Sequence, residues 1–118
     1  WLTKDEAIIN TCIHHPWSTF RFTVNGYYQM FRGIQYIQNP AHIQQIPKNL
    51  PLFFVAGGED PVGNNGKSVT QVCQQYKAAG IQDVQIKLYP GDRHEILNET
   101  DRDVVYADLL TWLNGHLA

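Results

Sequence analysis

Residues 52–56 read LFFVA, a continuous apolar run closed by Pro51 on one side and Gly57-Gly58 on the other. A run this short between turn residues suits a β-strand covered on both faces, the habit of parallel sheets. The three segments after it set the fold class. Residues 67–79 carry Val69, Val72, Cys73, Tyr76 and Ala79 on one helical face, and Gly80 supplies the stop. Residues 84–89 alternate, with Val84, Ile86 and Leu88 on one side, as a second strand does. A last helix starts at Thr100 or Asp101 and buries Val105, Leu109, Trp112 and Leu113. Strand, crossover helix, strand, helix is a βαβα unit, so the fold class is α/β with a parallel sheet. Two parallel strands cannot cover both faces and both edges, and the expectation is the edge of a larger, doubly wound sheet. An uncovered edge also predicts self-association of the isolated chain.

The first half is helical in pattern. Residues 5–13 place Ile8, Ile9, Cys12 and Ile13 on one stripe, with Thr3 as the expected cap and Glu6 as its capping-box partner. His14-His15-Pro16 ends this helix, because a residue before proline is pushed out of the helical region. Residues 17–25 alternate too loosely for a strand and read as an extended, aromatic connection. Gly26 then opens a helix over 27–38, with Tyr27, Met30, Phe31, Ile34 and Ile37 on one face. Asn39-Pro40 closes it, and a short helical turn over 41–46 precedes Pro47.

Composition excludes several classes of function. A chain of 118 residues, 43% hydrophobic and 17% charged, fits one globular domain. Nine Lys and Arg stand against eleven Asp and Glu, and the basic residues are scattered singly, so nucleic acid is not an expected partner. The longest apolar stretch, residues 50–56, is broken by Pro51 and falls far short of the ~20 residues of a membrane span. The chain opens Trp-Leu-Thr-Lys-Asp-Glu, without initiator Met, basic n-region or apolar h-region. It is therefore expected to be part of a longer protein rather than to carry a signal peptide. Cys12 and Cys73 form no Cys-x-x-Cys pair, and two free thiols suit a reducing, cytoplasmic compartment.

Chemistry in an open parallel sheet gathers at the carboxyl ends of its strands. The loops there are GGEDPVGNNG, residues 57–66, and PGDRHEILN, residues 90–98. Each presents one reactive group, Asp60 and His94, which neighbouring strands bring within reach of each other. A carboxylate that accepts an imidazole Nδ1–H fixes the tautomer and leaves the other nitrogen free to take a proton from a nucleophile. The structural alternatives are an Asx-turn at Asp60-Pro61 and a loop-capping role for His94. Other candidates fail. Asp92, His94 and Glu95 lack metal-ligand spacing, with Glu95 read as an acidic residue near a helix start. His14-His15 complements a helix C-terminus, and His42 and His116 read as surface residues. Gly66-Lys67-Ser68 is no phosphate loop, since Pro61 stands where its first glycine belongs.

The segments LPLFFVAGGEDPVGNNGKSVTQV and LYPGDRHEILNETDRDVVYADLLTWLNGHL resemble the C-terminal end of the α/β-hydrolase family. The branch they are most similar to holds monoacylglycerol lipases, lysophospholipases and related serine esterases. There Gly-x-x-Asp-Pro-Val presents the triad acid and Tyr-x-Gly-x-x-His-Glu the triad histidine. The resemblance thus implies Asp60 as acid and His94 as base, in the family's order of nucleophile, acid and histidine. It also implies that residues 51–118 form the C-terminal βαβα part of the core, the last two parallel strands with their helices. Residues 1–50, through WLTKDEAIINTCIHHP and FTVNGYYQMFRGI, look like the end of an inserted cap and its connecting helices.

The pattern departs from the family in lacking a nucleophile. The two serines, Ser18 and Ser68, lie in no Gly-x-Ser-x-Gly elbow, and Ser68 sits at a helix start. The expectation is a C-terminal portion of a serine carboxylic-ester hydrolase, inactive alone, whose nucleophile and missing N-terminal part lie in the same parent protein. Its substrate would be a small ester or lipid, and it would need no cofactor or metal. Trp17, Phe20, Phe22, Tyr27, Tyr28 and Phe31 are expected mostly in core packing, with the lining of an acyl pocket as the alternative. The rival function is a non-catalytic α/β binding module in which Asp60 and His94 are plain loop residues.

Overall fold

A computed structural model describes residues 1–18 and 20–117, so Thr19, inside the segment expected to be extended, lies outside the described residues. Strand β1 (Leu52–Gly57) pairs in parallel with β2 (Val84–Tyr89), in a register running from Leu52 opposite Val84 to Gly57 opposite Tyr89. The crossover is helix α4 (Lys67–Ala78), and α5 (Arg102–Asn114) comes after β2. Strand periodicity sorts the packing. Leu52 and Phe54 of β1, with Val84 and Ile86 of β2, pack against Cys73 and Tyr76 of α4. Val55 and Tyr89 point to the other face and meet Ile96, Val105 and Leu109. Phe53 shares that second face and stacks on Trp112 of α5, ring centroids 5.5 Å apart. The sheet is therefore covered by one helix on each side, the three-layer arrangement of α/β folds.

The elements of the second half match the sequence expectation closely, with differences in burial: Leu113 of α5, expected in the core, is 49% exposed. Residues 52–56 are half-buried rather than enclosed. Two helices reach one stripe of each face, and among the described residues no third strand pairs with β1.

The first half departs further. Helix α1 (Glu6–His14) is capped by Asp5, whose carboxylate accepts the Ala7 and Ile8 amides, and not by Thr3. Thr3 is fully buried instead, with its hydroxyl turned to the far end of the chain. A 3-10 turn, Pro16–Ser18, and the start of helix α2 (Val24–Ile37) take the two ends of the expected extended connection. Thr23 begins α2 early, because its hydroxyl accepts the Gly26 amide. Helix α3 is the short Pro40–Ile43. The core role expected for the aromatic residues is not met: Trp17, Phe20, Phe22, Tyr27, Tyr28 and Phe31 are all exposed. They contact each other instead, Phe20 on Phe22, Phe22 on Tyr27 and Tyr27 on Phe31. Helix α2 packs on α3, and its apolar residues Tyr27, Met30, Phe31, Ile34 and Ile37 lie exposed.

Candidate active site

The loop after β1 is shaped by its own sequence. Asn64, Asn65 and Gly66 adopt three successive left-handed conformations, which Asn and Gly tolerate best. They turn the chain from the strand into α4. Asp60, nearly buried, uses both carboxylate oxygens. Its Oδ1 accepts the Val62 amide at 2.9 Å, the Asx-turn foreseen before Pro61. Its Oδ2 lies 3.0 Å from Nδ1 of His94.

Two backbone hydrogen bonds tie this loop to the one after β2. Gly58 N–H donates to Tyr89 O, and Glu59 N–H to Asp92 O, each at 2.8 Å. Gly57 permits the approach, since a Cβ there would stand 2.1 Å from Arg93 O and 2.3 Å from Asp92 O. Hence the parallel register and a glycine together bring Asp60 and His94 into contact.

Facing a carboxylate that only accepts, Nδ1–H of His94 is the donor in this contact. The Asp60 side chain is 9% exposed and that of His94 39%, so the acid is shielded and the imidazole is reachable. The Trp1 ring leans on the imidazole, centroids 5.2 Å apart. Beside it opens an apolar groove of about 430 Å³ lined by Trp1, Leu2, Cys12, Ile13, Ser18 and Glu95.

The chain's first residues close over the His94 loop, a contact sequence reasoning missed. The Glu95 amide donates to Leu2 O at 2.8 Å and the His94 amide to Trp1 O at 3.4 Å. Asp92 is fully buried beneath Lys4, which bridges it to Asp101. Burial pushes the Asp92 carboxyl up, with Lys4 opposing, while Lys4 itself is held protonated by Asp92 and Asp101. Asp92 thus belongs to the support of the loop. Glu95 accepts a hydrogen bond from the Asn98 side chain, and Ser68 lies exposed at the start of α4. His116 is not a plain surface residue. Its Nε2 meets Asp83 Oδ2 and its Nδ1 meets Trp112 O, both at 2.7 Å, joining the end of α5 to the start of β2. Nothing in the spacing of these residues announced the contact, since 33 positions separate the pair.

Parallel strands linked by a crossover helix, with an acid–imidazole pair on the loops at their carboxyl ends, define part of an α/β-hydrolase. The chain belongs to the family described as "Serine aminopeptidase, S33", whose model matches residues 1–101. It is 34% identical over 70 residues to a monoacylglycerol lipase of Mycolicibacterium smegmatis, covering 57% of this chain and 22% of that protein. It is 33% identical over 92 residues to a monoglyceride lipase of Saccharomyces cerevisiae, covering 74% of this chain and 28% of that one. A thermostable carboxyl esterase from Bacillus coagulans, solved with glycerol, superposes with a TM-score of 0.85 at 30% identity, over 94% of this chain and 36% of the esterase. A soluble variant of the yeast monoglyceride lipase, solved with a substrate analog, superposes at 0.74 and 23% identity, over 98% and 41%, and supports the fold. The chain thus spans only about a quarter of the length of the two lipases. Among the described residues no helix is long and apolar enough to cross a membrane.

Proposed function

We propose that this chain supplies the acid and the base of a serine carboxylic-ester hydrolase, with Asp60 as acid and His94 as base. The observation that carries the reading is the 3.0 Å contact between His94 Nδ1 and Asp60 Oδ2 at the carboxyl ends of adjacent parallel strands. The nucleophile is a serine outside these 118 residues. That serine attacks the ester carbonyl while Nε2 of His94 takes its proton, and Asp60 compensates the imidazolium through Nδ1–H. His94 then protonates the departing alcohol. The same nitrogen next deprotonates a water, which attacks the acyl-enzyme, and His94 returns that proton to the serine oxygen as the carboxylic acid leaves. No step calls for a metal or an organic cofactor.

The substrate class we infer is a lipid ester with one acyl chain, a monoacylglycerol or lysophospholipid. It is supported by the names of the two lipases and by the apolar groove next to His94. Residues 51–118 act as the end of the hydrolase core and residues 1–50 as the end of a cap with its connecting helices. Alone, the chain turns over no ester.

Fluorophosphonate labelling of the complete gene product tests this reading, with His94→Ala and the 118-residue chain alongside. Labelling of the wild type alone is the expected result. Absence of labelling in folded wild-type product overturns it and favours a non-catalytic binding module.

A further inference from the structure

Glu99 is fully buried, outside the acid–imidazole pair, and its carboxylate is engaged at both oxygens. Oε1 accepts the Arg93 amide at 2.7 Å. Oε2 accepts the Lys4 amide and the Thr3 hydroxyl, each at 2.9 Å. Removing a carboxylate from water costs several kcal/mol, and charge-assisted bonds to fixed donors offset that cost. The donors are not scattered. Arg93 immediately precedes His94, and Thr3-Lys4 come immediately after Trp1 and Leu2, whose carbonyls accept the His94 and Glu95 amides. Thr3 is itself fully buried; its one hydroxyl proton is shared between Glu99 Oε2 and Asn98 O, and its oxygen accepts the Asp5 amide. One carboxylate therefore bolts the opening residues of the chain to the loop carrying the imidazole. Residues 93, 94 and 95 are held amide by amide.

We propose that Glu99, with Thr3 beside it, is a positioning residue for His94, holding the imidazole at the distance where Asp60 fixes its tautomer. This rests on the reading of His94 as the base. A displacement of about 1 Å in a reacting group costs on the order of 10²-fold in rate, which sets the scale of the effect. Glu99→Gln keeps the volume but turns an NH₂ toward one of three donors, so the loop shifts and the Asp60–His94 contact lengthens. Thr3→Val keeps the shape and removes a single hydroxyl.

The test is steady-state hydrolysis of a water-soluble short-chain ester by the complete gene product, as wild type, Glu99→Gln, Thr3→Val, Thr3→Ser and His94→Ala. Folding of each is checked by circular dichroism. In Glu99→Gln kcat falls roughly 10- to 100-fold while KM holds. Thr3→Val shows a smaller fall of the same kind, and Thr3→Ser restores most of it. A folded Glu99→Gln with wild-type kcat overturns the proposal. Should Glu99→Gln fail to fold, Thr3→Val decides: wild-type behaviour overturns the proposal, and a loss rescued by serine supports it. Full activity in His94→Ala overturns the underlying reading instead, and the clamp with it.

Discussion

His94 Nδ1 and Asp60 Oδ2 meet at 3.0 Å across 34 residues of sequence. The contact arises from the parallel register, which sets Gly57 opposite Tyr89, and from two loops bonded to each other backbone to backbone. Neither side chain reaches the other by a long or free excursion. Asp60 is pinned through its second oxygen by Val62, and His94 by the amides on either side of it.

Asp60→Asn keeps an oxygen for the Val62 amide and so preserves the loop, but offers the imidazole no charge and a wrong tautomer. In the complete gene product kcat on a soluble ester should fall about 10⁴-fold with the fold intact, the cost of the same exchange in a protease triad. Near-normal turnover would remove Asp60 from the catalytic assignment.

Gly57→Ala introduces a Cβ 2.1 Å from one backbone carbonyl oxygen and 2.3 Å from another, with no flexible side chain to yield. The two loops must part. A loss of about 3 kcal/mol is expected, at the upper end for overpacking. Chemical denaturation of the 118-residue chain measures it, and a midpoint within error of wild type would contradict the close approach.

Val104 and Val105 are adjacent on α5, yet one is 55% exposed and the other 0%. Val105→Ala should cost roughly 2 kcal/mol through lost burial and a residual cavity, and Val104→Ala under ~0.5 kcal/mol. Equal effects in paired denaturation curves would mean that α5 sits in a different rotation on the sheet.

His116 faces two acceptors, and the Trp112 carbonyl first, then Asp83, raises its pKa above the ordinary 6.5. Asp83 is lowered in turn from 3.8 by His116, then Gln85. A raised histidine stabilises fully below its unfolded pKa and loses that contribution as pH rises through the folded value. The lowered Asp83 works in the opposite sense and loses its contribution only as pH falls through its folded value. Full strength therefore lies between the carboxylate and imidazole ranges. The Tm gap between wild type and His116→Gln should be wider at about pH 5.5 than at about pH 8.5. A gap independent of pH would show that the pair carries no charge.

Residues 52–113 were legible because their information is local. An unbroken apolar run, a period of 3.6 and a period of 2 each report the neighbours a segment has within a few residues. Asp-Pro and the Asn-Asn-Gly turn likewise carry their own geometry, and a parallel pair of strands then implies where Asp60 and His94 meet. The first half was less legible for the same reason. Thr3 has the pattern of a helix cap, but Asp5 is better placed to accept the α1 amides, and the Thr3 hydroxyl is drawn to Glu99. The amphipathic pattern of α2 implies a buried face, whereas its apolar residues lie exposed, because periodicity shows which residues share a face and not what covers it.

The sequence by itself determined the elements, their order, the parallel class of the sheet and the two loops that hold the reactive groups. Only the tertiary structure decided which distant groups hold the His94 loop, Thr3 with Glu99 and Lys4 with Asp92, and which tie the end of α5 to the start of β2, Asp83 with His116. Each of these partnerships joins groups dozens of positions apart, and their energies come from fixed donor geometry and, at Thr3, Glu99 and Asp92, from burial. Burial and donor geometry are properties of the closed molecule, and no period along the chain encodes them.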